Sequence, residues 1–174
     1  MRSTRSEFCR ATPGRAAQCS RRAAPAATVG GPQSTLTEDE IRRFVADAIV
    51  AFDFDGKRVT LVVPDGTRHA PIAMLSHLIR DALGSRPKDV RVVIALGTHD
   101  YMSETAIAAL MGYEPGHFAD EFPGWEIFNH DWRNDDCFAD LGTIEAARIG
   151  ELTDGRLTDR AMTVLVNKMV VDTD

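Results

Sequence analysis

The stretch that decides the fold runs from Val59 to His99 and reads VTLVVPDGTRHAPIAMLSHLIRDALGSRPKDVRVVIALGTH. Two short runs rich in β-branched residues are each followed by a small polar loop, and a segment with helical spacing of apolar residues lies between them. We therefore predict strands at Val59–Val63 and Arg91–Leu96 and a helix at Pro71–Leu83. Parallel strands joined by a helix end at the same edge of a sheet, where open α/β folds bind ligands.

The loops after these two strands carry the side chains best suited to catalysis or ligand binding. The first loop contains Asp65, Thr67 and Arg68, and the second contains Gly97, Thr98 and His99. A guanidinium offers a fork suited to carboxylate or phosphate, and a histidine can act as a general base near neutral pH. The alternatives are an Asx turn beside a solvated arginine and a hydrogen-bonded loop histidine. The expected convergence of the two loops favours a functional site.

The rest of the chain extends this pattern into a single α/β domain over residues 34–174, with a mainly parallel sheet and flanking helices. Thr37 and Glu40 have the spacing of a capping box at the start of a helix, and Ser103 is placed to cap a short helix that ends at Met111. Further strands are predicted at Glu126–Asn129, Phe138–Ile144, Arg148–Leu152 and Val164–Val166, and 114–124 is predicted as a loop.

Residues 1–33 differ in composition, being rich in Arg, Ala, Ser and Pro with Glu7 as the only acid. A transit peptide is one interpretation, but Pro and Gly residues interrupt any amphipathic helix. We expect a disordered or mis-started leader instead.

Composition excludes several classes of protein. The chain has 174 residues, 44% hydrophobic and 26% charged, with a net charge of −6, which gives no support for a nucleic-acid-binding surface. No apolar run is long enough to cross a bilayer. Three cysteines without a CxxC motif argue against a disulfide framework or a structural zinc site, so we expect a cytoplasmic protein. No metal ligands are assigned within the chain.

Two further motifs offer alternatives. The segment from Ile49 to Gly56 resembles the nucleophile motif of haloacid-dehalogenase-type phosphatases, with Asp53 as nucleophile and Asp55 as acid, although the preceding apolar stripe indicates a helix where that family has a strand. His130 and Asp131 follow the third strand, but adjacent strand residues point to opposite faces, so we interpret His130 as a strand-end histidine.

The two loops together resemble the N-terminal domain of the nickel-dependent lactate racemase family, which carries an Asp-x-Thr-Arg-Pro loop and a Gly-x-His-Arg loop after successive strands. They occur here as Asp65-Gly66-Thr67-Arg68-His69 and Gly97-Thr98-His99-Asp100. The stretch Val166-Asn167-Lys168 is also similar to the family. His69 stands where the family has Pro, and Asp100 stands where it has Arg.

The resemblance implies a function for these residues. Family members racemise or epimerise a 2-hydroxy acid by hydride transfer to a nickel pincer nucleotide. His99 would then act on the substrate hydroxyl as a catalytic base, and Asp65, Thr67, Arg68, Gly97 and Thr98 would bind substrate or cofactor. The expected partner is a small 2-hydroxy acid, not a nucleic acid or a membrane.

The family's second histidine, its cofactor-tethering lysine and its nickel-binding histidine lie in a later segment that this sequence does not reach. We therefore expect this fragment to be inactive by itself. An alternative is a non-catalytic, anion-binding remnant of the family that retains Asp65, Arg68 and His99.

Overall fold

The computed structural model describes residues 27–174. The proposed leader therefore lies largely outside the described residues. The first helix, α1 (Glu38–Val50), begins at a complete capping box, because the Thr37 side chain accepts from the Glu40 amide and the Glu40 carboxylate accepts from the Thr37 amide. The helix stops before a turn that leads into the first strand.

Three strands form a parallel sheet in the order β1-β2-β3. They are β1 (Arg58–Pro64), β2 (Asp89–Ala95) and β3 (Trp125–Asn129), so each predicted strand is confirmed with bounds that differ by one or two residues. The register aligns the first residues of β1 and β2, Arg58 with Asp89, and also their last residues, Pro64 with Ala95. The loops that follow these two strands therefore start side by side.

Helices join the strands in the manner of a βαβ unit. They are α2 (Ile72–Leu83) between β1 and β2, and α3 (Glu104–Met111) with the short α4 (Phe118–Glu121) between β2 and β3. The predicted α2 starts one residue later than expected, because Pro71 is its N-cap. Ser103 caps α3 as predicted, since its hydroxyl accepts from the Ala106 amide at 3.2 Å.

The segment 114–124, predicted as a loop, contains α4. Phe118 and Phe122 lie one helical turn apart, and their rings stack with centroids 5.3 Å apart. Phe122 is completely buried and also contacts Trp125. This aromatic cluster stabilises a helical turn. The polar residues and glycines that flank it in the sequence had indicated a loop.

The main core lies between the sheet and the helices on one of its faces. Alternate residues of β1, including Val59 and Leu61, join Val92 and Ile94 of β2 in this core. Thr60 points to the other face, where its hydroxyl donates to the Met169 carbonyl at 3.1 Å. Because β2 is the central strand and is covered on both faces, its apolar run hardly alternates, as expected from the sequence.

The last third of the chain forms a separate antiparallel pair, β4 (Phe138–Ile144) and β5 (Met162–Asn167), preceded by the 3₁₀ turn Asp135–Cys137. The helices α5 (Ala146–Leu152) and α6 (Lys168–Val171) complete the fold. The prediction of a strand at Arg148–Leu152 is wrong. Ala, Arg, Glu and Leu are strong helix formers, and Arg148 pairs with Glu151 one turn away at 2.7 Å.

Candidate functional site

Asp65 comes directly after β1 and is buried, with 6% of its surface exposed. One carboxylate oxygen, Oδ1, accepts hydrogen bonds from the Thr67 amide at 3.1 Å and the Thr67 hydroxyl at 2.5 Å. This is the Asx turn that the sequence allows, but it occupies one oxygen alone. The other oxygen, Oδ2, contacts Nδ1 of His99.

His99 reaches Asp65 from the loop after β2. A tight turn, with Gly97 at φ +60° and the His99 amide bonded to the Leu96 carbonyl at 3.0 Å, brings the imidazole back toward β1. The two side chains are 34 residues apart in sequence and meet because β1 and β2 are neighbouring parallel strands. More than half of the His99 side chain, 57%, is exposed.

The contact with His99 determines the electrostatics of the carboxylate. The hydrogen bond from His99, followed by that from the Thr67 hydroxyl, lowers the pKa of Asp65 from 3.8 to about 2. Asp65 is therefore ionised at every physiological pH and favours a proton on Nδ1. The second ring nitrogen, Nε2, is then the basic atom that a ligand can meet.

A cavity of about 240 Å³ opens at this edge of the sheet. The structure brings all six predicted site residues to its lining, namely Asp65, Thr67, Arg68, Gly97, Thr98 and His99. Arg68 is exposed, and its guanidinium forms no salt bridge with any residue of the described range 27–174. The cavity thus combines a buried anion, an oriented imidazole and an uncompensated cation, which suits a small ligand that bears a carboxylate and a hydroxyl.

The aspartates of the phosphatase alternative lie elsewhere. Asp53 follows α1 in the turn that precedes β1, and the Lys57 ammonium donates to its carboxylate at 2.6 Å. Asp55 is paired with Arg86 at 2.7 Å. Both precede the amino end of β1, whereas the phosphatase motif needs a strand that ends at its nucleophile. The structure therefore does not support this alternative.

The loop after β3 also contacts the site through two residues that the sequence analysis did not single out. Trp132 donates its indole N–H to the His99 carbonyl at 2.9 Å, and Arg133 donates to Asp100 at 2.6 Å. His130, by contrast, faces away toward β5 and accepts from Asn167. The position of Trp132 and Arg133 after a third parallel strand is the signal that could have identified them.

A metal site does not emerge from the described residues. Within 27–174, no group of three or more His, Cys, Asp and Glu side chains is placed to hold a metal ion. The same range contains no helix that is both long and apolar enough to span a membrane.

Fold and site together define an α/β protein with a ligand cavity at the carboxyl ends of parallel strands. The sequence profile of the lactate racemase N-terminal domain family matches residues 37–174, and the chain belongs to this family. A crystal structure of a protein from Thermotoga maritima has a similar fold, with a TM-score of 0.65 and 24% sequence identity. The match covers 79% of this chain and 31% of the Thermotoga chain. A comparison with curated proteins finds no match.

Proposed function

We propose that this chain forms the N-terminal part of a racemase or epimerase that acts on a 2-hydroxy acid such as lactate. The observation that carries the proposal is the Asp65–His99 pair, set beside the uncompensated guanidinium of Arg68 in one cavity. Membership in the lactate racemase N-terminal domain family supports the choice of substrate class.

In the proposed reaction, Nε2 of His99 accepts the proton of the substrate hydroxyl. Asp65 keeps the proton on Nδ1 and stabilises the imidazolium that forms, because its carboxylate stays ionised. Arg68 binds the substrate carboxylate and so places the hydroxyl near His99. The transferred proton therefore moves only between the substrate hydroxyl oxygen and Nε2 of His99.

Inversion at carbon also requires that the hydrogen on that carbon be removed and returned. The family resemblance assigns this step to a nickel pincer nucleotide, which would supply the hydride chemistry when bound. The proposal for these residues is therefore limited to the hydroxyl proton and the carboxylate.

Chiral chromatography of lactate incubated with the full protein and its cofactor tests the proposal. We expect D- and L-lactate to interconvert, and we expect His99→Asn to lower kcat by a hundredfold or more, about the usual contribution of a general base. Asparagine still donates a hydrogen bond to Asp65 but lacks the basic nitrogen. His117→Asn is the matched control, because His117 forms a similar but exposed pair with Asp120 at 2.8 Å. Equal activity of the two variants would contradict the proposal.

A second candidate function is anion binding without catalysis. The exposed guanidinium of Arg68, which lines the cavity and forms no salt bridge within 27–174, favours it. Binding of lactate or phosphate, measured by isothermal titration calorimetry, is expected to be lost in Arg68→Ala with folding intact. Arg156→Ala, which removes another exposed arginine far along the chain, is expected to leave binding unchanged. Lactate binding without interconversion of its enantiomers would favour this candidate over the isomerase.

A further inference from the structure

Hydrogen bonds connect successive residues of one loop to a second loop. We call residues 97–103 the His99 loop and residues 129–133, at the end of β3 and just beyond it, the brace segment. Four consecutive residues of the His99 loop are bonded to the brace segment: His99 to Trp132, Asp100 to Arg133, Tyr101 to Asp131 and Met102 to Asn129. The last pair is reciprocal, with bonds of 3.1 and 3.0 Å.

The Trp132 contact differs from the others because it reaches His99 itself. Its indole N–H donates to the His99 carbonyl at 2.9 Å. The indole is fixed in turn by Arg133, whose guanidinium carbon lies 4.2 Å from the Trp132 ring centroid and 5.5 Å from that of Tyr101. Because Arg133 is also bonded to Asp100, the ring is held between its own segment and the His99 loop.

The His99 loop needs such support. Its residues 97–101 belong to no helix or strand, and most of the His99 side chain is exposed. Asp65 holds one ring nitrogen and the Leu96 carbonyl accepts from the His99 amide, but neither contact holds the His99 carbonyl. A catalytic group must stay within about 0.5 Å of its productive position, which normally requires contacts beyond the group itself.

We infer that Trp132 is a positioning residue for His99: it fixes the backbone of His99 while Asp65 fixes the ring. The kinetic consequence rests on the proposed function, whereas the effect on the order of the imidazole does not. The brace segment then has a specific task at the site, although it contributes none of the residues that line the cavity.

Trp132→Phe tests this inference because it keeps an aromatic ring for Arg133 and removes the indole N–H. A hydrogen bond contributes about 0.5–1.5 kcal/mol, so we expect kcat for lactate interconversion to fall about twofold to tenfold. KM should change little, since Arg68 binds the carboxylate independently. Trp125→Phe is the matched control, because Trp125 is the other tryptophan and lies in the core.

A second readout needs no turnover. In protein labelled with ¹³C-histidine, we expect the Cε1–Hε1 signal of His99 to broaden or split in Trp132→Phe and to stay unchanged in Trp125→Phe. Should Trp132→Phe not fold, Arg133→Met releases the Trp132 ring and is expected to broaden the same signal. An unchanged His99 signal in the folded variant would overturn the inference, whatever the activity.

The two proposals fail in different ways. A wild-type protein that does not interconvert lactate overturns the proposed function, and the His99 signal then still decides the positioning role. The positioning role alone is overturned by a different result. In that case the wild-type protein is active, but Trp132→Phe and Trp125→Phe have equal kcat and unchanged His99 signals.

Discussion

Asp65 shows how much a single side chain determines at this site. It is buried, yet each of its carboxylate oxygens has a defined partner, Thr67 for Oδ1 and His99 for Oδ2. A buried carboxylate is tolerated when its charge is compensated by such donors. The same contacts that hold the loop after β1 therefore also orient the imidazole from the loop after β2.

The lowered pKa of Asp65 predicts a specific loss of stability in acid. A carboxyl group has a pKa near 3.9 in unfolded chains and about 2 here, so its stabilising contribution is present above about pH 4 and is lost as the pH falls toward 2. Asp65→Asn removes this contribution. We expect the difference in unfolding free energy between wild type and Asp65→Asn, from urea titrations, to shrink between pH 4 and pH 2.

Asp120→Asn is the control for this measurement, because Asp120 pairs with an exposed histidine on the surface. Its difference from wild type is expected to be small throughout, as is usual for exposed ion pairs. A wild-type advantage over Asp65→Asn that is the same at pH 2 and pH 6 would contradict the assigned contacts.

Among the glycines of residues 27–174, Gly112, which ends α3, has the tightest surroundings. Its φ is +79°, and a Cβ atom at this position would lie 2.8 Å from Cβ of Ala73 in α2. Gly124 has a φ of +78° with open space around it. Gly112→Ala is expected to cost about 1–3 kcal/mol more than Gly124→Ala, because both pay for the left-handed backbone and Gly112 alone also overpacks a helix contact. Equal urea midpoints for the two variants would show that α2 and α3 are less closely packed.

At the residue scale, the sequence predicts the contact between the loops after β1 and β2 but not the contact with the loop after β3. Asp65 and His99 were predictable as neighbours because strand ends in a parallel sheet share an edge. The contact of Trp132 with His99 was not, because it depends on the path of a loop 33 residues away that no local pattern determines.

At the scale of elements, periodic signals identified α1, α2, α3 and the strands of the parallel sheet. The short helices α4, α5 and α6 were not predicted, because none of them is long enough to show a complete apolar stripe. Elements of four to seven residues depend on tertiary contacts such as the Phe118–Phe122 stack, which the sequence alone does not reveal.

One link between elements depends on the ionisation of a histidine. Asn167 at the end of β5 uses Oδ1 to accept from the Met169 amide at 2.8 Å, so its amide nitrogen faces Nδ1 of His130 after β3, also at 2.8 Å. Nδ1 must therefore be an acceptor, as it is in a neutral imidazole protonated on Nε2. Burial lowers the pKa of His130, consistent with this neutral form.

The His130–Asn167 link should weaken in acid. A histidine with a lowered pKa stabilises the fold fully above its unfolded pKa of about 6.5, and this contribution declines as the pH falls below that value. We expect wild type to lose more thermal stability than His130→Asn between pH 7.5 and pH 5. His117→Asn should retain the wild-type sensitivity, since His117 is exposed. The same acid sensitivity in all three proteins would exclude His130 as its source.

At the scale of the whole molecule, the parallel sheet carries the site and the antiparallel pair is attached to it. Besides the His130 link, the Asp172 carboxylate bridges Arg58 of β1 at 2.8 Å and Arg91 of β2 at 3.3 Å. These contacts hold α6 against the face of the sheet opposite the main core. The sequence predicted strands in this region but not that they form a sheet of their own.

The chain spans about a third of the length of the Thermotoga structure, so the activity of a whole protein of this family is a proposal for this chain. The described residues carry one testable contact with substrate, the hydrogen bond between Nε2 of His99 and the substrate hydroxyl. This contact is the central claim, because it separates recognition of a 2-hydroxy acid from general anion binding at Arg68.

The most direct test is the ¹⁵N chemical shift of His99 Nε2 as lactate, or propionate as its analogue without a hydroxyl, is added to the full protein. We expect saturating lactate to shift the Nε2 signal, because the hydroxyl donates a hydrogen bond to that nitrogen, whereas propionate leaves it nearly unchanged. Equal shifts with both acids, or none with either, would contradict the assignment of His99 as the group that acts on the substrate hydroxyl.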